Sequence, residues 1–89
     1  MTVDKDLLKA VLTLDTIDEA DRFFKDIFTP AEIEDISLRW KLLKDLHKGV
    51  TQREIAKKYG ISLCKITRGS KVLKDEDSLV KKIIASNDT

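Results

Sequence analysis

Residues 51–73, TQREIAKKYGISLCKITRGSKVL, read as two short helices joined by a tight turn that carries a glycine. Thr51 is placed to cap the first helix. Glu54, three residues on, completes a box in which hydroxyl and carboxylate each satisfy an orphan backbone N–H. Ile55 and Tyr59 give that helix an apolar stripe, Ala56 is small enough for a second helix to approach, and Gly60 supplies the left-handed backbone that ends it. Ser62 is expected to cap the second helix. On that helix Ile66 and Leu73 face inward, and Leu63, Cys64, Lys65, Thr67, Arg68 and Lys71 face wholly or partly outward. Small, turn and apolar residues at these separations form a helix-turn-helix, a device that presents its second helix to a DNA major groove.

The rest of the chain is helical by the same reading. Its 89 residues allow one domain at most, with a core modest enough that a partner subunit is expected. With three glycines, one proline and 37% charged residues, the composition suits exposed amphipathic helices rather than sheets, so the fold class is all-α. Residues 4–14 carry Leu7, Leu8, Val11 and Leu12 on one side. Thr16 and Glu19 form a second capping box, opening a helix with Ile17, Ala20, Phe23, Phe24, Ile27 and Phe28 on a broad apolar face. That face holds all three phenylalanines, and an intersubunit core is as good a destination for it as an intrachain one. TPAE, residues 29–32, starts a third helix with Thr29 as cap and Pro30 in the first helical position. Its apolar residues Ile33, Ile36, Trp40, Leu43 and Leu46 step by three and four until Gly49, making it the spine of the domain. Beyond the helix-turn-helix, Asp75 to Ser78 form a loop, and Leu79, Val80, Ile83 and Ile84 stripe a closing helix before a polar SNDT tail.

Charge is unevenly placed. The formal net charge is +1, but residues 1–38 carry −6, residues 39–74 carry +9 and residues 75–89 carry −2. Positive charge concentrated on and just before the helix-turn-helix is the footprint of a phosphate-contacting face. A lone Cys64 excludes an internal disulfide and suits a reducing compartment; it reads as an ordinary small side chain or, less simply, as a redox sensor. No apolar run is long enough to span a membrane and no secretory pattern opens the chain, so a cytoplasmic protein is expected. His47 has no ligand or nucleophile at useful spacing, and no phosphate loop is present, which argues against an enzyme. A helical module that docks an acidic protein partner is the competing reading of the basic motif.

The stretch TPAEIEDISLRWKLLKDLHKGVTQREIAKKYGISLCKITRGSKVLK closely resembles the core of bacterial tryptophan repressors, with QRE and ITRGS especially characteristic. RFFKDIFTPAEI is similar to the segment that precedes that core in short relatives, so the resemblance covers residues 22–74 well and the two ends weakly. It implies a six-helix, intertwined homodimer in which residues 4–28 form the dimerisation helices. The two second motif helices would then enter successive major grooves of a palindromic operator in double-stranded DNA, about 34 Å apart. It implies phosphate or base contacts from Gln52 and Arg53, groove contacts from Leu63, Cys64 and Thr67, and phosphate contacts from Lys57, Lys58 and Lys71. Lys65 swings either to a phosphate or into a ligand's space.

The resemblance also implies a corepressor pocket that takes L-tryptophan or a related indole, with no other cofactor. Arg39 and Arg68 match the two arginines that sandwich the ring, Thr29 the threonine near the ligand carboxylate, and Gly69 an open pocket floor. Two positions depart from the pattern: Val72 replaces a hydroxyl that meets the ligand amine, and Lys65 a small threonine near the indole. The link Gly49-Val50-Thr51 is one residue shorter than in the family. These departures leave tryptophan or a similar indole, another small ligand, and ligand-independent DNA binding all open.

Overall fold

A computed structural model describes residues 2–87. Among these residues there are six helices and no strand: α1 (Lys5–Leu12), α2 (Ile17–Ile27), α3 (Pro30–His47), α4 (Gln52–Tyr59), α5 (Leu63–Lys74) and α6 (Leu79–Asn87). The closing helix takes in Ser86 and Asn87 of the expected tail, and Asp88 and Thr89 lie outside the described residues. The chain divides into two compact units, Met1–Glu34 and Asp35–Thr89.

In the first unit local signals set every helix start. Asp4 accepts the Leu7 amide at 3.3 Å, and Thr16 Oγ1 accepts the Glu19 amide at 3.1 Å. The Glu19 carboxylate reaches back to the Asp15 amide at 2.9 Å, one residue beyond the partner a strict capping box would use. Thr29 and Glu32 complete the reciprocal box, 2.9 Å for Thr29 N–H to carboxylate and 3.2 Å for Glu32 N–H to hydroxyl. The three phenylalanines form an aromatic run: Phe24 lies 6.2 Å from Phe23 and meets Phe28 edge-on at 5.6 Å between centroids. Yet α1 and α2 bury no residue completely. Leu12 and Ile17 are 83% and 90% exposed, and Leu8, Val11, Phe24 and Ile27 also remain open to solvent.

The second unit has a true core. Leu42 and Leu43 of α3, Ile55 of α4, Ile66 of α5 and Ile84 of α6 are buried together, with Leu46, Val50, Ala56, Tyr59, Ile61, Leu73 and Val80 packed around them. Leu42 falls outside the expected stripe of α3, while Trp40, inside that stripe, stays 38% exposed. Two neighbouring leucines are buried because α3 is covered over a wide arc, broader than a three-and-four spacing describes. In α6, Val80 and Ile84 join the core, whereas Leu79 and Ile83 of the expected stripe stay exposed.

Candidate nucleic-acid interface and adjoining cavity

Helix α4 begins where expected: Thr51 Oγ1 accepts the Glu54 amide at 3.2 Å. It ends at Gly60, whose φ of 63° and ψ of 38° place it in the left-handed region that glycine adopts without strain. The Gly60 and Ile61 amides both return to the Ala56 carbonyl, closing the turn. Ser62 departs from expectation. It occupies the N-cap position of α5, but its side chain makes no capping hydrogen bond. The start of α5 therefore depends on packing, chiefly on the completely buried Ile66 one turn in.

Packing assigns α5 three faces. Ile66 and Gly69 are buried. A Cβ built on Gly69 would lie 2.8 Å from Leu42 Cδ1 and 3.3 Å from leucine methyls of both Leu43 and Leu46. Gly69 is thus the point where α5 crosses closely over α3, with the leucines of α3 filling the space beside it that was expected to be an open pocket floor. Leu63, Cys64, Thr67 and Lys71 form a second, exposed face. Lys65, Arg68 and Val72 form a third, also exposed.

The second face continues onto α4. Thr67 Oγ1 donates to the Leu63 carbonyl at 2.9 Å and lies 3.5 Å from Gln52 Oε1, so the start of the first motif helix and the middle of the second meet at one polar point. Arg53 and Lys57 stand exposed on α4 and Lys71 on α5, and Leu63 is 51% exposed. Short polar groups and one apolar side chain suit base edges and thymine methyls, while flanking cations suit phosphates.

An ionic cluster ties α4 to α3 and engages Lys58, one of the three lysines expected at phosphates. The Tyr59 hydroxyl donates to Asp45 Oδ2 at 2.7 Å and Lys58 Nζ approaches the same oxygen at 3.3 Å, above the Tyr59 ring at 5.1 Å from its centroid. The tyrosine hydrogen bond first, then the lysine, outweigh partial burial and hold the Asp45 carboxyl below its ordinary range. The same bond, together with burial, raises the Tyr59 phenol. Nothing in the sequence reading singled out Asp45. The only signal was an acid inside the most basic segment of the chain, opposite in sign to its surroundings.

The third face of α5 walls a cavity of about 190 Å3 with Asp35, Leu38, Arg39 and Leu42 of α3 and Lys65 and Arg68 of α5. The structure brings together Arg39 and Arg68 and adds Lys65, which faces this space and not the Leu63–Thr67 surface. Gly69 and Val72 are not among the lining residues: Gly69 is covered by the α3 leucines, and Val72 lies at the surface, 36% exposed. Thr29 caps α3 in the first unit. Among the described residues no cluster of histidine, cysteine or carboxylates could hold a metal ion, and no helix is long and apolar enough to cross a membrane.

Comparison with known proteins gives a consistent answer. The family model described as Trp repressor protein matches residues 4–88. The Trp operon repressor homolog of Chlamydia trachomatis serovar L2 is 38% identical, over 85% of this chain and 86% of its own. The homologs of Xylella fastidiosa strain M23 and Chlamydia caviae are 37% and 36% identical, over 86% and 89% of this chain and 88% and 79% of theirs. No solved structure matches the chain at the same stringency. With a match across nearly its whole length and a helix-turn-helix whose polar face is open, the chain belongs to the Trp repressor family, a family of DNA-binding transcriptional regulators of repressor type.

Proposed function

We propose that the chain represses transcription as an intertwined homodimer that inserts α5 into the major groove of each half of a palindromic operator. The observation that carries this reading is the Gln52–Thr67 junction, which unites the two motif helices into one exposed polar face flanked by Arg53, Lys57 and Lys71. Leu63, Cys64 and Thr67 meet base edges there, directly or through water, while Gln52, Arg53 and the lysines position the duplex. Dimerisation through residues 4–28 is supported by the unsatisfied apolar faces of α1 and α2, which have the surface of an interface and no interior of their own. Control by tryptophan or a similar small ligand is supported by the cavity at Arg39 and Arg68, because one of its walls is the helix that reads DNA. A ligand that favours one tilt of α5 shifts operator affinity by its differential affinity for that state.

Fluorescence anisotropy with duplex DNA across a salt series tests the reading. Affinity is expected to fall steeply with salt, and Lys57→Ala to lower the slope by about one phosphate's worth. Arg53→Ala and Thr67→Ala are expected to weaken binding to the preferred duplex. Absence of salt-dependent retention of any duplex, with and without aromatic ligands, would sink the proposal.

A further inference from the structure

Helix α4 carries two adjacent lysines, and the helical repeat sends them to different places. Arg53 and Lys57, four positions apart, share an exposed face. Lys58 and Tyr59 follow the completely buried Ile55 by three and four positions, so both lean toward the side on which α4 packs. There they meet Asp45 of α3, whose side chain is only 13% exposed. One carboxylate oxygen accepts the Tyr59 hydroxyl at 2.7 Å and lies 3.3 Å from Lys58 Nζ, which also stands 5.1 Å from the centre of the Tyr59 ring. Asp45 first, then Tyr59, raise the Lys58 ammonium above its ordinary value, so it stays charged. A DNA phosphate offers the same ammonium a partner in solvent, screened by salt. Taking it would leave Asp45 charged and largely desolvated, with the tyrosine hydroxyl and the weaker pull of Lys48 in place of its ion pair.

We propose that Asp45 withholds Lys58 from the DNA backbone: the motif assigns Lys57 to phosphate and Lys58 to an internal carboxylate, and that pair persists when duplex is bound. Asp45 thereby limits the sequence-independent part of DNA affinity, since each phosphate contact strengthens binding to every sequence alike. The inference deepens the DNA-binding reading and rests on it.

Fluorescence anisotropy on the full chain with one mixed-sequence duplex, repeated across a salt series, counts the phosphates engaged through the slope of log affinity against log salt. Lys57→Gln is expected to make the slope shallower by about 0.9, one phosphate's worth, and Lys58→Gln to leave it unchanged. Asp45→Asn, which keeps an acceptor for the tyrosine, is expected to steepen it by about 0.9, and the double variant Asp45→Asn/Lys58→Gln to restore the wild-type slope. Tyr59→Phe loosens the same cluster but keeps the ion pair, so its slope should match wild type. A slope that falls in Lys58→Gln as it does in Lys57→Gln overturns the inference, and so does an unchanged slope in Asp45→Asn. A rise that survives in the double variant assigns the effect to Lys48 or to net charge, and a matching rise in Tyr59→Phe assigns it to loosening; either overturns the inference too. Circular dichroism at the assay temperature follows helix content, and should Asp45→Asn not fold, Lys58→Gln beside Lys57→Gln decides alone. If wild type retains no duplex at any salt, DNA binding and the inference fail together. If Lys57→Gln behaves as expected and Lys58→Gln does not, the inference fails and DNA binding stands.

Discussion

Helices α1 and α2 are sharply two-faced yet bury nothing completely, whereas α4 and α5, of similar lengths, contribute Ile55 and Ile66, both 0% exposed. The contrast lies in what each region can cover with its own neighbours. The second unit surrounds its apolar residues with helices that are close in the chain, α5 packing against both α4 and α6 and crossing α3 at Gly69. The first unit has two helices and an aromatic run, too little to enclose a core. Two-faced patterning therefore marks where burial is wanted, and only packing shows where it has been achieved within one chain.

The largest effect expected from breaking this contrast is in the second unit. Ile66→Ala removes a fully buried side chain at the centre of four helices and should cost about 2–5 kcal/mol, read as a lowered urea midpoint. A loss under about 1 kcal/mol would mean that the core collapses around the gap more easily than its packing suggests.

Next is the first unit. Leu12→Asp alters a side chain that is 83% exposed in the single chain, so a monomer would scarcely notice it. If that surface is the dimer interface, burying a carboxylate in place of a leucine should weaken association about 10- to 100-fold by sedimentation. Unchanged association would place the interface elsewhere.

Tyr59→Phe probes how the motif is held to α3. Losing a hydrogen bond to a charged, mostly buried carboxylate is expected to cost about 1.5 kcal/mol. Because the Asp45 carboxyl is lowered in the folded protein, its contribution is complete above the unfolded-state value and is lost as pH falls through the folded one. The difference between wild type and Tyr59→Phe should therefore shrink below about pH 4. A difference that persisted unchanged in acid would assign the effect to packing.

The smallest effect compares the two motif caps. Thr51→Ala should cost about 1 kcal/mol in thermal unfolding, since its hydroxyl holds the Glu54 amide; Ser62→Ala should cost almost nothing, since that hydroxyl caps no amide. Equal costs would show that Ser62 caps α5 in solution.

Much of this was legible before any coordinates. The hydroxyl caps at Thr16, Thr29 and Thr51 and the left-handed Gly60 were readable because each depends on residues within three or four positions of one another, although only Thr29 and Glu32 close the full reciprocal box. The polar face was readable because the periodicity of α5 places Leu63, Thr67 and Lys71 in line, and the basic segment surrounds it. Ser62 misled because a cap residue in the right place need not turn its hydroxyl to the helix.

The sequence by itself determined the number and kind of elements, the helix-turn-helix, its cationic setting and the family, all properties carried by neighbours in the chain. The tertiary structure decided the rest. It made Gly69 the crossing point with Leu42 and linked Asp45 to Tyr59 across fourteen positions. It also turned Lys65 to share a cavity with Arg39 and Arg68. These outcomes depend on how closely two helices approach and at what angle, a quantity set by the summed packing of many side chains and encoded at no single position.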